Sequence, residues 1–215
     1  NITIESCYIS GATNNGIDIE PGRDISIIGN TIVDTTHWSA NKTNGIYFGN
    51  PEGFPNCDNV LITNNFISGT EAIGIQVRDT EHLTISDNKV GNTGSSGVYV
   101  YRCSGFIITS NDVSFNQYTG IYVVQSANGV IGSNYCDSNN AGGGTEKNIA
   151  VASDSTHPAT HITIMNNRCI GAYRGLSCTG DGCDYIIAIG NVLTGFTGTN
   201  YVNGANSIKA NNIGV

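Results

Sequence analysis

The sequence predicts an all-β solenoid in which short parallel strands stack turn upon turn. Gly and Asn occur 28 times each among the 215 residues, 12% of the residues are charged, and 39% are hydrophobic. Helical proteins use more Ala, Leu, Glu, Lys and Arg than this chain does, and disordered chains have fewer hydrophobic residues and more charge. Two short sequence phrases also recur in turn along the chain. In each phrase apolar residues occupy every second position, which is typical of a β-strand with one buried face.

The first phrase has two apolar residues separated by one residue, followed three positions later by Asn. The alternation indicates a short strand with one inward face, and Gly and Asn supply the corners because they adopt positive φ at low cost. Between Asn65 and Asn134 the period is 23 residues. Asn recurring at one corner predicts a ladder of hydrogen-bonded side-chain amides. Copies of the phrase end at Asn30, Asn65, Asn88, Asn111, Asn134, Asn167 and Asn191, with a degraded copy near Asn211 and with Cys7 in the Asn position of the first copy.

The second phrase has Gly, an apolar residue, any residue and another apolar residue. It predicts a further strand in each turn, with its apolar residues inside the solenoid. The residues expected to stack in one interior row are Ile17, Ile46, Ile75, Val98 and Ile121.

Two or three short strands in one 23-residue turn of the solenoid cannot form a closed core, so successive turns must stack on one another. About nine turns at roughly 4.8 Å each predict a rod about 40 Å long. Inserted loops lengthen the turns at 34–44, 49–58, 137–147 and 153–161.

With this repeat the chain resembles the right-handed parallel β-helix proteins of the pectin-lyase-like type, each a single-stranded solenoid. It looks most like their polysaccharide-processing branch, which includes phage tailspike depolymerases, polysaccharide lyases, pectin-type glycosidases and C5-epimerases. The resemblance covers nearly the whole chain, so we expect residues 1–215 to be one β-helix, a fragment or central domain of a longer chain. It implies a polysaccharide substrate, a homotrimer of β-helices, and an extracellular or virion-surface location.

The charge balance excludes several classes of partner. The formal net charge is −8, from 17 acidic and nine basic residues. Bare nucleic-acid binding needs a basic face, and none is evident in the sequence. A strongly polyanionic partner would need a local basic strip or a bound cation. No apolar run approaches the roughly 18 residues that span a bilayer, so we expect no membrane insertion.

The cysteines and histidines indicate no cofactor. Seven Cys have no framework spacing, and most are expected to be small buried residues. Cys178 and Cys183 flank a short turn and could form a local disulfide. His157 and His161 lie in a loop without a third ligand, so zinc is not expected. We expect no metal, with Ca²⁺ as the exception if the protein is a lyase.

The strand residues between the inward positions must face solvent, and they form an informative strip. Tyr rings stack on the C–H surfaces of sugars, while carboxylates, amides and guanidinium groups bind hydroxyls, so the strip is typical of a sugar-binding face. The alternative is that outward Tyr pairs only stabilise the sheet, by roughly 0.2–1 kcal/mol each. The strip contains Asp18, Glu20, Tyr47, Gln76, Arg78, Asp79, Tyr99, Tyr101, Arg102 and Tyr122.

Three carboxylates in this strip are candidate catalytic groups: Asp18, Glu20 and Asp79. Glycoside hydrolysis needs two carboxyl groups, and residues two apart on a strand are roughly 6–7 Å apart, with Asp79 roughly 10 Å away across two turns. Arg78 would keep one carboxylate ionised. The alternative is that these are solvated surface acids.

Two further features of the sequence bear on the chemistry. The stretch 16–22 is similar to a strand that carries Tyr, Asp, Pro and His in alginate-type epimerases and lyases, but here Ile17 precedes the Asp and no His is present. His37 and Trp38 lie in the 34–44 insertion, where they could supply a catalytic His and a sugar-stacking ring, or fold back onto the protein.

The leading interpretation is a glycoside hydrolase-type depolymerase that acts on a bacterial surface or cell-wall glycan through this outer strip, and among the resembling proteins it is most similar to phage tailspike depolymerases. The first alternative is a uronic-acid polysaccharide lyase or C5-epimerase, which would need Arg78, Arg102 or Ca²⁺ to neutralise the uronate and a Tyr or His as base. The second alternative is a non-catalytic glycan-binding or structural β-helix.

Overall fold

The computed structural model describes residues 1–36, 43–49, 56–154, 156–202 and 206–213. Within these ranges the chain forms 25 strands and no helix, arranged in three parallel sheets. Each turn of the chain adds one strand to each sheet, so the predicted all-β solenoid of about nine turns is correct. No helix in the described ranges is long and apolar enough to cross a membrane.

The strands are numbered β1–β25 in chain order. Sheet 1 contains β1 Ile2–Glu5, β4 Arg23–Ile28, β7 Cys57–Thr63, β10 Thr80–Ser86, β13 Ser104–Thr109, β16 Ala127–Gly132, β19 Ala159–Met165, β22 Cys183–Ile189 and β25 Ile208–Ala210. Sheet 2 contains β2 Tyr8–Ser10, β5 Thr31–Val33, β8 Phe66–Ser68, β11 Lys89–Gly91, β14 Asp112–Ser114, β17 Tyr135–Asp137, β20 Arg168–Ile170 and β23 Val192–Thr194. Sheet 3 contains β3 Ile17–Ile19, β6 Ile46–Phe48, β9 Ile75–Arg78, β12 Val98–Tyr101, β15 Ile121–Val124, β18 Lys147–Ala152, β21 Arg174–Thr179 and β24 Tyr201–Val202.

The core is a stack of aliphatic rows between the three sheets. Ile46 pairs in register with Ile17 on one side and with Ile75 on the other. The row continues through Val98 to Ile121, and all five side chains are buried. The predicted interior row is therefore confirmed.

The predicted Asn ladder is also confirmed. Asn65 accepts on its side-chain oxygen from both the backbone N and the Nδ2 of Asn30, at 2.9 and 3.0 Å. The pattern repeats in each turn, and each buried amide also donates to a backbone carbonyl of the preceding turn. The last member is Asn212, in the degraded copy of the phrase near Asn211. The full ladder contains Asn30, Asn65, Asn88, Asn111, Asn134, Asn167, Asn191 and Asn212.

Gly and Asn supply many of the corners with positive φ, as expected, for example at Gly29 and Asn64, and Asp and Ser share this role. At the ladder corner the positive φ belongs to the residue before the ladder Asn, such as Asp87 or Ser110. The Gly that opens the second phrase serves close packing instead: a Cβ on Gly97 would lie 2.4 Å from Cγ1 of Val113. A second, shorter amide ladder joins Asn116, Asn139 and Asn148, and the sequence patterns did not predict it.

The suggested disulfide is not formed. Cys178 and Cys183 are separate buried thiols. Ser153 donates to Sγ of Cys183 at 3.3 Å, and that thiol donates to the carbonyl of Thr179 at 3.2 Å. Burial raises the pKa of both thiols, so both stay protonated near neutral pH.

Candidate functional site

The outer face of sheet 3 brings the predicted strip together. Asp18 pairs in register with Tyr47, and Tyr47 pairs with Gln76. Gln76 then pairs with Tyr99, and Tyr99 with Tyr122. The flanking column joins Arg78 to Tyr101. The register therefore places these side chains on one surface; their roles stay predictions.

Two Tyr rings at the centre of the face touch each other. The centroids of Tyr99 and Tyr122 are 5.6 Å apart, with the rings edge to face at 66°. Tyr99 also stacks on Tyr101, with centroids 6.2 Å apart and the planes inclined by 10°. Aromatic pairs of this geometry hold one another in place, so they present a partly exposed, ordered ring surface.

The phenol groups of this pair favour the protonated form. Burial is the main reason that the pKa of Tyr99 is raised, and the neighbouring Tyr122 adds to it. Burial and then the Glu146 carboxylate raise the pKa of Tyr122. Both hydroxyls are therefore hydrogen-bond donors at neutral pH, and neither is activated as a base.

A charged cluster adjoins the rings. Arg102 holds Asp79 through two contacts, Nε to Oδ1 at 2.7 Å and Nη2 to Oδ2 at 3.0 Å. The guanidinium groups of Arg78 and Arg102 lie 5.0 and 4.8 Å from the centroid of Tyr101. The expected partner of a strip carboxylate was Arg78, so the structure corrects that pairing. Asp79 is 9% exposed and is held in this ion pair, and its catalytic role stays a prediction.

Asp18 and Glu20 lie at the end strand of the same sheet. Both are exposed, and Nδ2 of Asn15 donates to Asp18 at 2.8 Å. Tyr47 lies in the next turn, where its ring covers Gly49; a Cβ at residue 49 would be 2.4 Å from the ring. The structure thus gives Asp18 and Glu20 the access to solvent that Asp79 lacks.

A cavity of about 460 Å³ opens beside the Tyr pair. Its wall includes Tyr118 and Glu146, which the sequence patterns missed. Oε2 of Glu146 accepts from the Thr119 hydroxyl at 3.0 Å and lies 3.7 Å from Nζ of Lys147. The available signal was that the 137–147 insertion runs directly into β18, so its last residues had to lie at the edge of sheet 3.

His37 and Trp38 lie outside the described residues. In the ranges that the structure does describe, no group of three or more His, Cys, Asp or Glu side chains could hold a metal ion.

Parallel strands, an amide ladder and an outward aromatic face define a β-helix protein with a polar groove on one sheet. The chain belongs to the family described as "Right handed beta helix region", which matches residues 1–157 and 56–213. The predicted right-handed parallel β-helix is therefore confirmed. No curated protein matches the chain in sequence.

Solved structures show the same fold. The periplasmic alginate epimerase AlgG superposes with a TM-score of 0.71 at 19% identity, over 93% of this chain and 47% of its own. The Dettilon tailspike protein has a TM-score of 0.59 at 19% identity, over 97% of this chain and 41% of its own. A mutant of DFA-IIIase from Arthrobacter chlorophenolicus A6, in complex with DFA-III, has a TM-score of 0.53 at 15% identity, over 88% of this chain and 57% of its own. The chain thus spans about half the length of these proteins, with which it shares the β-helix.

Proposed function

We propose that the protein binds a polysaccharide along the outer face of sheet 3 and cleaves it by hydrolysis. The observation that carries the proposal is the ordered, partly exposed ring pair of Tyr99 and Tyr122 beside a cavity of about 460 Å³. Support comes from an alginate epimerase, a phage tailspike and DFA-IIIase, which have the same fold.

The outer face of sheet 3 along Tyr47, Gln76, Tyr99 and Tyr122, here called the groove, offers the contacts that a glycan needs. Ring faces pack against the C–H surface of a pyranose, and the protonated phenols donate to its hydroxyls. Gln76 lies between Tyr47 and Tyr99 in the column and adds an amide that can both donate and accept. The groove therefore follows the stacking direction of the strands, with one outward side chain per turn.

Asp18 and Glu20 are the proposed acid and base. Asp18 lies in β3 and Glu20 directly follows its end; two residues of extended chain would separate them by roughly 6–7 Å, which is close to the window for inverting hydrolysis. Within the described ranges no Lys or Arg forms an ion pair with either. A carboxyl group without a fixed cation can hold a proton when a bound sugar excludes water. No cofactor is proposed for this reaction.

The products distinguish the reaction types. Purified protein is incubated with bacterial capsular and cell-wall glycans, and reducing ends and absorbance at about 235 nm are followed, since only an elimination forms the absorbing unsaturated uronate. Reducing ends without absorbance support hydrolysis. Absorbance shows a lyase, and glycan binding without either signal shows a non-catalytic module; both results contradict the proposal.

The charged cluster favours one alternative, a uronic-acid lyase or C5-epimerase. Arg78 and Arg102 both lie on Tyr101, and Nε of Arg78 has no hydrogen-bond partner among the described residues. Because Arg102 is already paired with Asp79, Arg78 supplies the net positive charge that could neutralise a uronate, with Ca²⁺ as an addition. Against it stand the raised pKa values of Tyr99 and Tyr122, which make both phenols poor bases.

We also propose a homotrimer located outside the cell or on a virion surface. The likeness to a phage tailspike supports both statements, and the periplasmic epimerase supports a location outside the cytoplasm. Sedimentation equilibrium tests the assembly, and a monomer at all concentrations would contradict it.

A further inference from the structure

The corner after sheet 2 has a left-handed backbone in every described turn, with φ between 49° and 74°. Gly, Asp, Asn and Ser occupy this corner in all turns but one, as expected of residues that tolerate positive φ. The exception is Phe115, with φ of 60°. The corner residues are Gly11, Asp34, Gly69, Asn92, Phe115, Ser138, Gly171 and Gly195.

Packing in the protein does not account for this Phe. Its side chain is 55% exposed, so it does not fill the core. The backbone hydrogen bond at this corner, from the Phe115 N to the Asp137 carbonyl at 2.9 Å, has an equivalent at Ser138 in the next turn. The corner does not require Phe, and Asn adopts its backbone conformation more readily.

Phe115 lines a cavity of about 390 Å³ on the outer face of sheet 2. Two more exposed aromatic residues line it, Phe66 at 40% and Tyr135 at 36% exposure. Phe66 and Tyr135 are three turns apart, from β8 to β17, so the cavity extends for roughly 14 Å. Three aromatic residues thus surround one cavity on a sheet that carries none of the strip residues.

Polar groups lie between the rings. Asp112 accepts from the Ser114 hydroxyl at 2.6 Å and lies 4.0 Å from Nζ of Lys89. Asp137 accepts from the Tyr135 hydroxyl at 3.1 Å. A carboxylate has about four acceptor sites, so both Asp residues keep capacity for the hydroxyl groups of a ligand.

We propose that this surface is a second glycan-binding site, which takes an uncharged oligosaccharide of a few pyranose units. The rings suit the C–H faces of the sugars, and the carboxylates suit pairs of neighbouring hydroxyls. Two carboxylates face Lys89, and the Arg168 guanidinium lies 5.8 Å from the centroid of Tyr135, so the local charges balance and suit an uncharged sugar. The site is on a different sheet from the proposed groove, so each can exist without the other.

An interface with a second copy of the chain is the competing explanation. The centres of protein interfaces are depleted in charged residues. Here Lys89, Asp112 and Asp137 line the middle of the aromatic surface, so the observations favour a sugar.

The test uses isothermal titration with maltohexaose, cellohexaose and mannohexaose, and with hexagalacturonate as the charged comparator. All variants carry Tyr99→Ala, so that the groove on sheet 3 contributes little. Phe115→Asn gives this corner the residue type that Asn92 provides in the preceding turn, so the variant should keep the fold. Tyr135→Ala removes a second ring. Tyr8→Ala is the matched control, because Tyr8 is an exposed ring in the first turn of the same sheet.

We expect at least one neutral hexasaccharide to bind, and each cavity variant to weaken that binding about tenfold, with Tyr8→Ala unchanged. The proposal is overturned if none of the neutral probes binds or if Phe115→Asn retains full affinity. It is also overturned if Phe115→Asn changes the sedimentation mass without changing sugar binding, since the surface is then an interface between copies. Loss of binding with Tyr99→Ala alone would instead identify the groove on sheet 3 as the sole site.

Discussion

Asn88 donates twice to the same oxygen of Asn111: its backbone N and its Nδ2 each lie 3.0 Å from Oδ1. The amide of Asn88 also donates to the Ile62 carbonyl at 2.9 Å, so three neighbouring turns are joined at one corner. Both Asn side chains are buried, so truncating either one would leave buried polar atoms of its neighbour without a hydrogen-bond partner.

Asn111→Ala should lower the free energy of unfolding by about 1–3 kcal/mol, because the buried donors of Asn88 lose their acceptor. Urea denaturation followed by circular dichroism measures this. Asn14→Ala, at an exposed position outside the ladder, is the control and should change stability by less than about 0.5 kcal/mol. Equal stability of the two variants would contradict the structural importance of the ladder.

Tyr122→Ala should weaken binding of a verified glycan substrate about tenfold while the fold is retained, because the ring pair with Tyr99 is lost. Titration calorimetry measures the affinity, and circular dichroism checks the fold. Tyr8→Ala serves as the control on another sheet. An unchanged affinity would reduce the ring pair to a packing contact of the sheet.

Asp18→Asn or Glu20→Gln should lower kcat by about 10²–10⁴-fold with glycan binding retained, because an amide keeps the shape but cannot transfer a proton. Glu5→Gln, at an exposed position on sheet 1, is the control. Wild-type turnover in both variants would place the catalytic groups elsewhere.

Asp79→Asn separates a positioning role from catalysis. The loss of charge weakens the two contacts to Arg102, so we expect weaker glycan binding and a raised KM, with kcat reduced less than in the Asp18 and Glu20 variants. Steady-state kinetics on the same glycan measures both constants. A fall in kcat alone, with KM unchanged, would return Asp79 to the catalytic set.

Glu146→Gln should lower the pKa of Tyr122, which remains above its ordinary value because burial is the larger cause. Since the folded pKa is raised, this phenol stabilises the fold fully below about pH 10 and loses that contribution as the pH rises through the folded value. Titration followed by the ring ¹³Cζ resonance measures the pKa. Glu81→Gln on sheet 1 is the control, and an unchanged pKa in Glu146→Gln would contradict the contact.

Phe115→Asn should raise the free energy of unfolding by about 1 kcal/mol, because Asn adopts the left-handed backbone more readily. Phe115→Ala should give no such gain, since Ala has the same backbone penalty as Phe. Thermal denaturation compares the two variants. A gain in both would show that ring exposure, and not the backbone, destabilises the wild type.

The fold could be predicted because its determinants are local and repeated. The alternation around Ile75 and the 23-residue spacing of Asn65, Asn88 and Asn111 specify strand, inward face and register together. The outward column from Asp18 to Tyr122 followed from the same register.

The candidate site was harder to predict from the sequence. Its contacts join side chains at the corners of neighbouring turns, and the repeat period does not specify where corner side chains point. Asp79 and Arg102 occupy equivalent corner positions, yet which Arg holds the carboxylate depended on geometry. Glu146 lies near the end of the 137–147 insertion, where the 23-residue period is interrupted and gives no position for it. Phe115 was not predicted at a corner, because Phe is not a residue type that indicates positive φ.

The in-register stacking of Tyr47, Gln76, Tyr99 and Tyr122 makes the length of the proposed glycan groove a whole number of turns. Duplication or deletion of one 23-residue unit would lengthen or shorten the ligand track by one step of roughly 4.8 Å and leave the remaining steps intact. The preferred length of the bound glycan could thus change in discrete steps when repeat units are duplicated or deleted. The preferred type of sugar would instead change through substitution of single outward residues.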